Sequence, residues 1–120
     1  MNNNEIINKD DAIEGIQDYI NKVKEKNPKI LYGLYFAEET ILFDAIYEYL
    51  GDIDRLGDYF GVLYVIICRG INSSLMNQTA PTLDDYIKFI SSIGSIGYSG
   101  EQINKLQELI RAKQRKLEMV

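Results

Sequence analysis

Residues 59–68 read YFGVLYVIIC, ten positions without a charge, bounded by Asp58 and Arg69. A segment apolar on every helical face has to be enclosed by its neighbours. This predicts a central helix over about residues 53–69, capped by Asp52 and Asp54 and closed by Gly70, with Leu56, Tyr59, Phe60, Leu63, Ile66 and Ile67 facing the core. Upstream, Ala12, Ile13, Ile16, Ile20 and Val23 recur at helical spacing behind Asp10 or Asp11 as caps. Asn27-Pro28 ends that helix, because the residue before proline avoids helical dihedrals. Ile41, Leu42, Ala45, Ile46 and Tyr49 predict a further helix over residues 37–50, with Gly51 as its left-handed cap.

Downstream, INSSLMNQTAP at residues 71–81 reads as a polar loop. Thr82 is placed to cap a short helix with Asp84 and Asp85 in its first turn and Leu83, Tyr86, Ile87 and Ile90 on one face. Gly94, Gly97 and Gly100 predict a second loop. Ser99 and Gln102, three apart, match a capping box opening a last helix striped by Ile103, Leu106, Leu109, Ile110 and Leu117. One stretch is ambiguous: KILYGLYF at residues 29–36 is rich in β-branched and aromatic residues, but no partner strand follows it. An irregular or helical lead-in is expected there, with a small hairpin as the alternative.

The expected fold is therefore all-α: a compact bundle of four to five helices around the central one. A polar, asparagine-rich segment, residues 1–9, should form a flexible arm before a single helical domain over residues 10–120. A chain of 120 residues, 46% apolar, is long enough for one ordinary core.

Charge narrows the partners. The net charge is −5, and it is uneven: residues 1–60 carry 13 acids and 6 bases, residues 61–120 carry 5 acids and 7 bases. An acidic chain is a poor binder of phosphate backbones, which argues against nucleic acid. The basic run from Arg111 to Lys116 suits the last turns of a helix, where cations oppose the negative end of the dipole. Cys68 is the single cysteine, so no internal disulfide is available. Residues 1–5 lack the basic start of a signal peptide, and residues 59–68 are too few to cross a bilayer. A cytoplasmic protein is expected, with no membrane partner.

Candidate chemistry mostly eliminates itself. Histidine is absent, which removes the commonest general base and transition-metal ligand. The run Asp52-Ile53-Asp54 resembles the start of a calcium loop, but Leu56 and Leu63 stand where oxygen ligands are needed. The glycines from Gly94 to Gly100 lack the order and preceding strand of a dinucleotide loop, and Ser99 misses a nucleophile elbow by one residue. Cys68, without a cationic partner on its own face, reads as a small buried hydrophobe. No cofactor, no metal site and no enzyme are expected. Nine tyrosines are more informative, six of them between Tyr32 and Tyr64. Tyrosine joins an apolar body to a polar tip and is favoured where a surface meets a partner.

Over residues 41–90 the chain resembles the tail assembly chaperones of long-tailed bacteriophages. The likeness is carried by FDAIYEYLGD at residues 43–52, by LYVIICRG at 63–70 and by PTLDDY at 81–86. The resemblance implies a small, acidic, non-catalytic helical protein in the bacterial host cell that binds the tape-measure protein and releases it as tail-tube subunits polymerise. The expected contacts are Tyr35, Tyr47, Tyr49, Tyr64 and Arg69, and room is left for a homo-oligomer. The alternative is an acidic inhibitor or immunity protein that blocks a toxin, nuclease or defence enzyme through Glu38, Glu39, Asp44 and Glu48.

Overall fold

The structure, a computed structural model, describes residues 8–31, 36–79 and 81–118. The arm expected over residues 1–9 falls mostly outside them, as does Tyr35. Helix α1 spans Lys9–Lys26. Its cap is Asn8, ahead of both expected aspartates: the Asn8 side chain accepts from the backbone N–H groups of Asp10 and Asp11 at 3.0 and 3.2 Å. Asp10 and Asp11 instead occupy the first turn, where negative charge is favoured by the dipole. Asn27 ends α1, and Pro28 opens a single turn, α2, over Pro28–Leu31; proline's fixed φ suits a first helical position. The ambiguous stretch thus begins as helix at residues 29–31.

Helix α3 spans Phe36–Asp52 and contains Gly51 within its last turn. The left-handed residue that turns the chain is Asp54, φ 59°, and not Gly51. Aspartate tolerates this conformation better than most residues. A 3-10 turn, Leu56–Asp58, then feeds the central helix α4, Tyr59–Asn77.

Helix α4 does not stop at Gly70, and residues 71–77 are helical instead of looped. Ile71 and Ser74 face the core from this extension, and Gln78, φ 61°, closes it. Gly70 is there for space. A β-carbon at this position would lie 2.6 Å from Cε1 and 2.7 Å from Cδ1 of Tyr86. Helix α5, Leu83–Phe89, carries that tyrosine. Thr82 and Asp85 form its capping box, with Asp85 N–H donating to Thr82 Oγ1 at 3.2 Å and Thr82 N–H to Asp85 Oδ2 at 2.9 Å. The expected glycine loop is a 3-10 helix over Ile90–Ile96, ended by Gly97 at φ 98°. Helix α6, Gly100–Glu118, starts at the predicted box: Ser99 N–H donates to Gln102 Oε1 at 2.9 Å and Gln102 N–H to Ser99 Oγ at 3.1 Å.

The fold is an all-α bundle around one core. Helices α1, α3 and α5 and the 3-10 segment pack on α4, while α6 lies along α3 and the 3-10 segment. Ile16, Ile20, Leu42, Ile46, Leu50, Leu63, Ile66, Ile67, Ile87, Leu106 and Ile110 are fully buried between them. By length and composition Leu56–Asn77 would suffice to cross a bilayer. The central helix of a bundle looks the same, and eight α4 residues here are buried in the core. Its enclosure is incomplete, however: Phe60 is 45% exposed, Tyr64 42% and Met76 85%.

Candidate binding face on the central helix

The open side of α4 follows from its own composition. Neighbours fill the side occupied by Val62, Leu63, Ile66, Ile67 and Gly70, leaving Phe60, Gly61, Tyr64, Arg69, Asn72 and Met76 turned to solvent. A helix apolar all round has no polar face to give to water, so whichever side lacks a neighbour is apolar by default. Leaving Phe60 and Tyr64 about half exposed forgoes roughly 1 kcal/mol each of burial energy.

Helix α1 shapes one edge of this face. Gly15 lets the Phe60 ring sit close, since a β-carbon there would be 3.0 Å from the ring. Phe60 and Tyr64 stack at 6.1 Å between centroids and 17° between planes, and Tyr64 meets Tyr19 of α1 at 5.4 Å and 59°. Tyr19 Oη donates to Cys68 Sγ at 3.6 Å, and Asn72 Nδ2 approaches the same sulfur at 3.6 Å. Burial, then the bond to Cys68, pushes the Tyr19 phenol above its ordinary pKa of 10.0. Past Cys68, the face runs into an open groove of about 420 Å³ lined by Arg69, Asn72, Met76 and Phe89.

The predicted contact residues do not converge. Tyr64 and Arg69 both belong to the open side of α4. Tyr47 is half-buried on α3, edge-on to Tyr59 at 5.1 Å, with Lys9 Nζ 5.2 Å from its ring centroid. Tyr49, two residues on, points to the other side of α3. It is only 7% exposed and lines a cleft of about 610 Å³ with Ile53, Gln102 and Lys105. Burial raises its pKa as well.

Tyr19 and Phe60 complete the face but were not among the expected contacts. Phe60 reads as core in the sequence because the apolar run gives no sign of which side is left open. The one available signal was Gly15, a glycine inside the otherwise regular α1 pattern.

Other chemistry is sparse. Among the described residues no three side chains of the His, Cys, Asp and Glu types come together to hold a metal ion. Asp44 pairs with Lys9 at 2.6 Å and Glu48 with Lys113 at 2.8 Å, so two of the acids on α3 are already engaged. The chain matches no family model, and no curated protein or solved structure matches it significantly.

Proposed function

We propose that this chain is a non-catalytic tail assembly chaperone of a bacteriophage. It binds the tape-measure protein in the bacterial cytoplasm and gives it up as the tail tube polymerises. The observation that carries this reading is the uncovered apolar side of α4, where Phe60, Tyr64 and Met76 stand exposed beside Tyr19. The sequence resemblance over residues 41–90, which includes the Tyr64 end of that helix, supplies the kind of client.

The physical logic is helix-in-groove recognition. A long tape-measure helix presents an apolar stripe that aggregates unless covered, and an apolar face beside a groove on a rigid bundle can cover several turns of it. A net charge of −5 keeps the resulting complex in solution. Aromatic rings rich in area and poor in rotamer freedom make economical anchors for such a contact.

The test is co-expression with a bacteriophage tape-measure protein. The expected result is a soluble complex that co-purifies, and whose yield collapses for Phe60→Asp with Tyr64→Asp. A tape-measure protein that stays insoluble with the wild-type chain present would sink the reading.

A further inference from the structure

We infer that the same α1/α4 face also pairs with a second copy of the chain, antiparallel, about a twofold axis passing beside Tyr64 and Cys68. Three of the four large apolar side chains exposed among the described residues, Phe60, Tyr64 and Met76, belong to α4, so among those residues this helix offers the most adhesive surface.

Its charged rim decides the partner and the orientation. Asp11, Gly15, Asp18, Lys22 and Lys26 recur at intervals of three and four along α1 and form one stripe. Gly15 is turned to Phe60, so this stripe borders the open face. Helices α1 and α4 run in the same direction here, because Gly15 meets Phe60 while Tyr19, further along, meets Tyr64 and Cys68. The rim is consequently acidic toward the Phe60 end, at Asp11 and Asp18, and carries two bases, Lys22 and Lys26, against one acid, Glu25, beyond Cys68. Arg69 of α4 adds to the basic end. All six charged side chains are exposed, and none is engaged in an ion pair among the described residues.

A parallel twofold pairing lays α1 of each copy over α4 of the other, so Asp11 and Asp18 face an uncharged stretch while Lys22 and Lys26 come level with Arg69. An antiparallel pairing lays α1 of each copy against α1 of the other, sets Asp11 and Asp18 against the other copy's Lys22 and Lys26, and lays Tyr64 over the partner helix near Cys68. The surface is self-complementary, as an isologous contact requires. Pairing hides Phe60 and Tyr64 while no client is bound, and a client helix has to displace the second copy. Only this competition rests on the chaperone reading; the association of two copies is measured without any client.

The experiment is light scattering on the full chain after size exclusion, across the micromolar range. Each variant is first checked for native helix content by circular dichroism. The wild type is expected at twice the chain mass of 13.8 kDa. Asp11→Lys with Asp18→Lys, and separately Lys22→Glu with Lys26→Glu, should each weaken pairing roughly tenfold or more. An equimolar mixture of the two variants should regain the dimer, because the reversed rims complement each other. A wild type that stays monomeric, a dimer indifferent to both reversals, or a mixture that stays monomeric would overturn the inference. Any of these leaves the tape-measure reading to its own test, and a dimer that solubilises no tape-measure protein removes that reading alone.

Discussion

Gly70 of α4 and Tyr86 of α5 are fitted to each other: the Tyr86 ring occupies the space that a β-carbon on Gly70 would need, 2.6 Å from Cε1. Tyr86 is fully buried and held in a seven-residue helix with a capping box, so the ring has little freedom to retreat. Gly70→Ala should therefore destabilise the fold by about 1–3 kcal/mol, the usual cost of overpacking, although alanine gains up to ~1 kcal/mol of helix propensity. Urea unfolding monitored by circular dichroism reads the net loss; an unchanged midpoint would mean that the two helices separate freely.

Gly51 makes the opposite prediction. As a left-handed cap it would resist any side chain, but it sits inside α3 with helical backbone, exposed, and a β-carbon added there would meet nothing within 4 Å. Gly51→Ala should raise stability by about 0.5–1 kcal/mol by restricting the unfolded chain and improving helix propensity. A loss of similar size in the same unfolding assay would restore the cap.

Alkaline stability follows from the buried phenols. Tyr59 is fully buried and donates from Oη to the Phe43 carbonyl at 3.0 Å. Burial first, then the nearby Asp44 charge, lifts its pKa well above 10.0, and Tyr19 and Tyr98 are lifted too. In the unfolded chain these groups ionise near 10, whereas the folded chain keeps their protons. Stability is thus fully present below pH 10 and falls as the pH rises from there toward the raised folded values. Tyr59→Phe should cost about 0.5–1.5 kcal/mol at neutral pH for the lost hydrogen bond and should make the alkaline decline shallower. Unfolding midpoints measured on both sides of pH 10 test this; parallel declines for variant and wild type would count against it.

The elements most legible in the sequence were those whose signal is local. The Ser99–Gln102 and Thr82–Asp85 caps lie where side-chain chemistry places them, because a cap is decided within three residues. Gly70 and Gly51 misled for one reason: glycine marks a turn in sequence, but only its neighbours in space say whether it supplies conformation or room. The left-handed positions fell instead to Asp54, Gln78 and Gly97. The candidate face was only partly legible. Tyr64 and Arg69 announce it, but Phe60 is exposed because of how the other helices are arranged around α4, which no periodicity within residues 59–68 records.

The junction between the start of α4 and the start of α6 carries the last prediction. Tyr98 Oη donates to Asp58 Oδ2 at 2.8 Å, Arg55 Nε donates to the same oxygen at 2.9 Å, and the Arg55 guanidinium lies 3.9 Å from the Tyr98 ring centroid. Arg55 Nη1 also donates to the Gly97 carbonyl at 3.3 Å, so one side chain ties the turn after α3 to the turn before α6. Tyr98→Phe keeps the ring under the cation and removes one hydrogen bond to a carboxylate, a loss of about 1–2 kcal/mol. Arg55→Ala removes the cation–π contact and both of its tethers, and should cost more than Tyr98→Phe. Because the two residues share Asp58, the double variant should cost less than the two single losses added together, with a coupling of about 0.5–1.5 kcal/mol. A double-mutant cycle in urea measures it. Additive losses would mean that Asp58 holds its two partners independently, and that the junction is two contacts instead of one network.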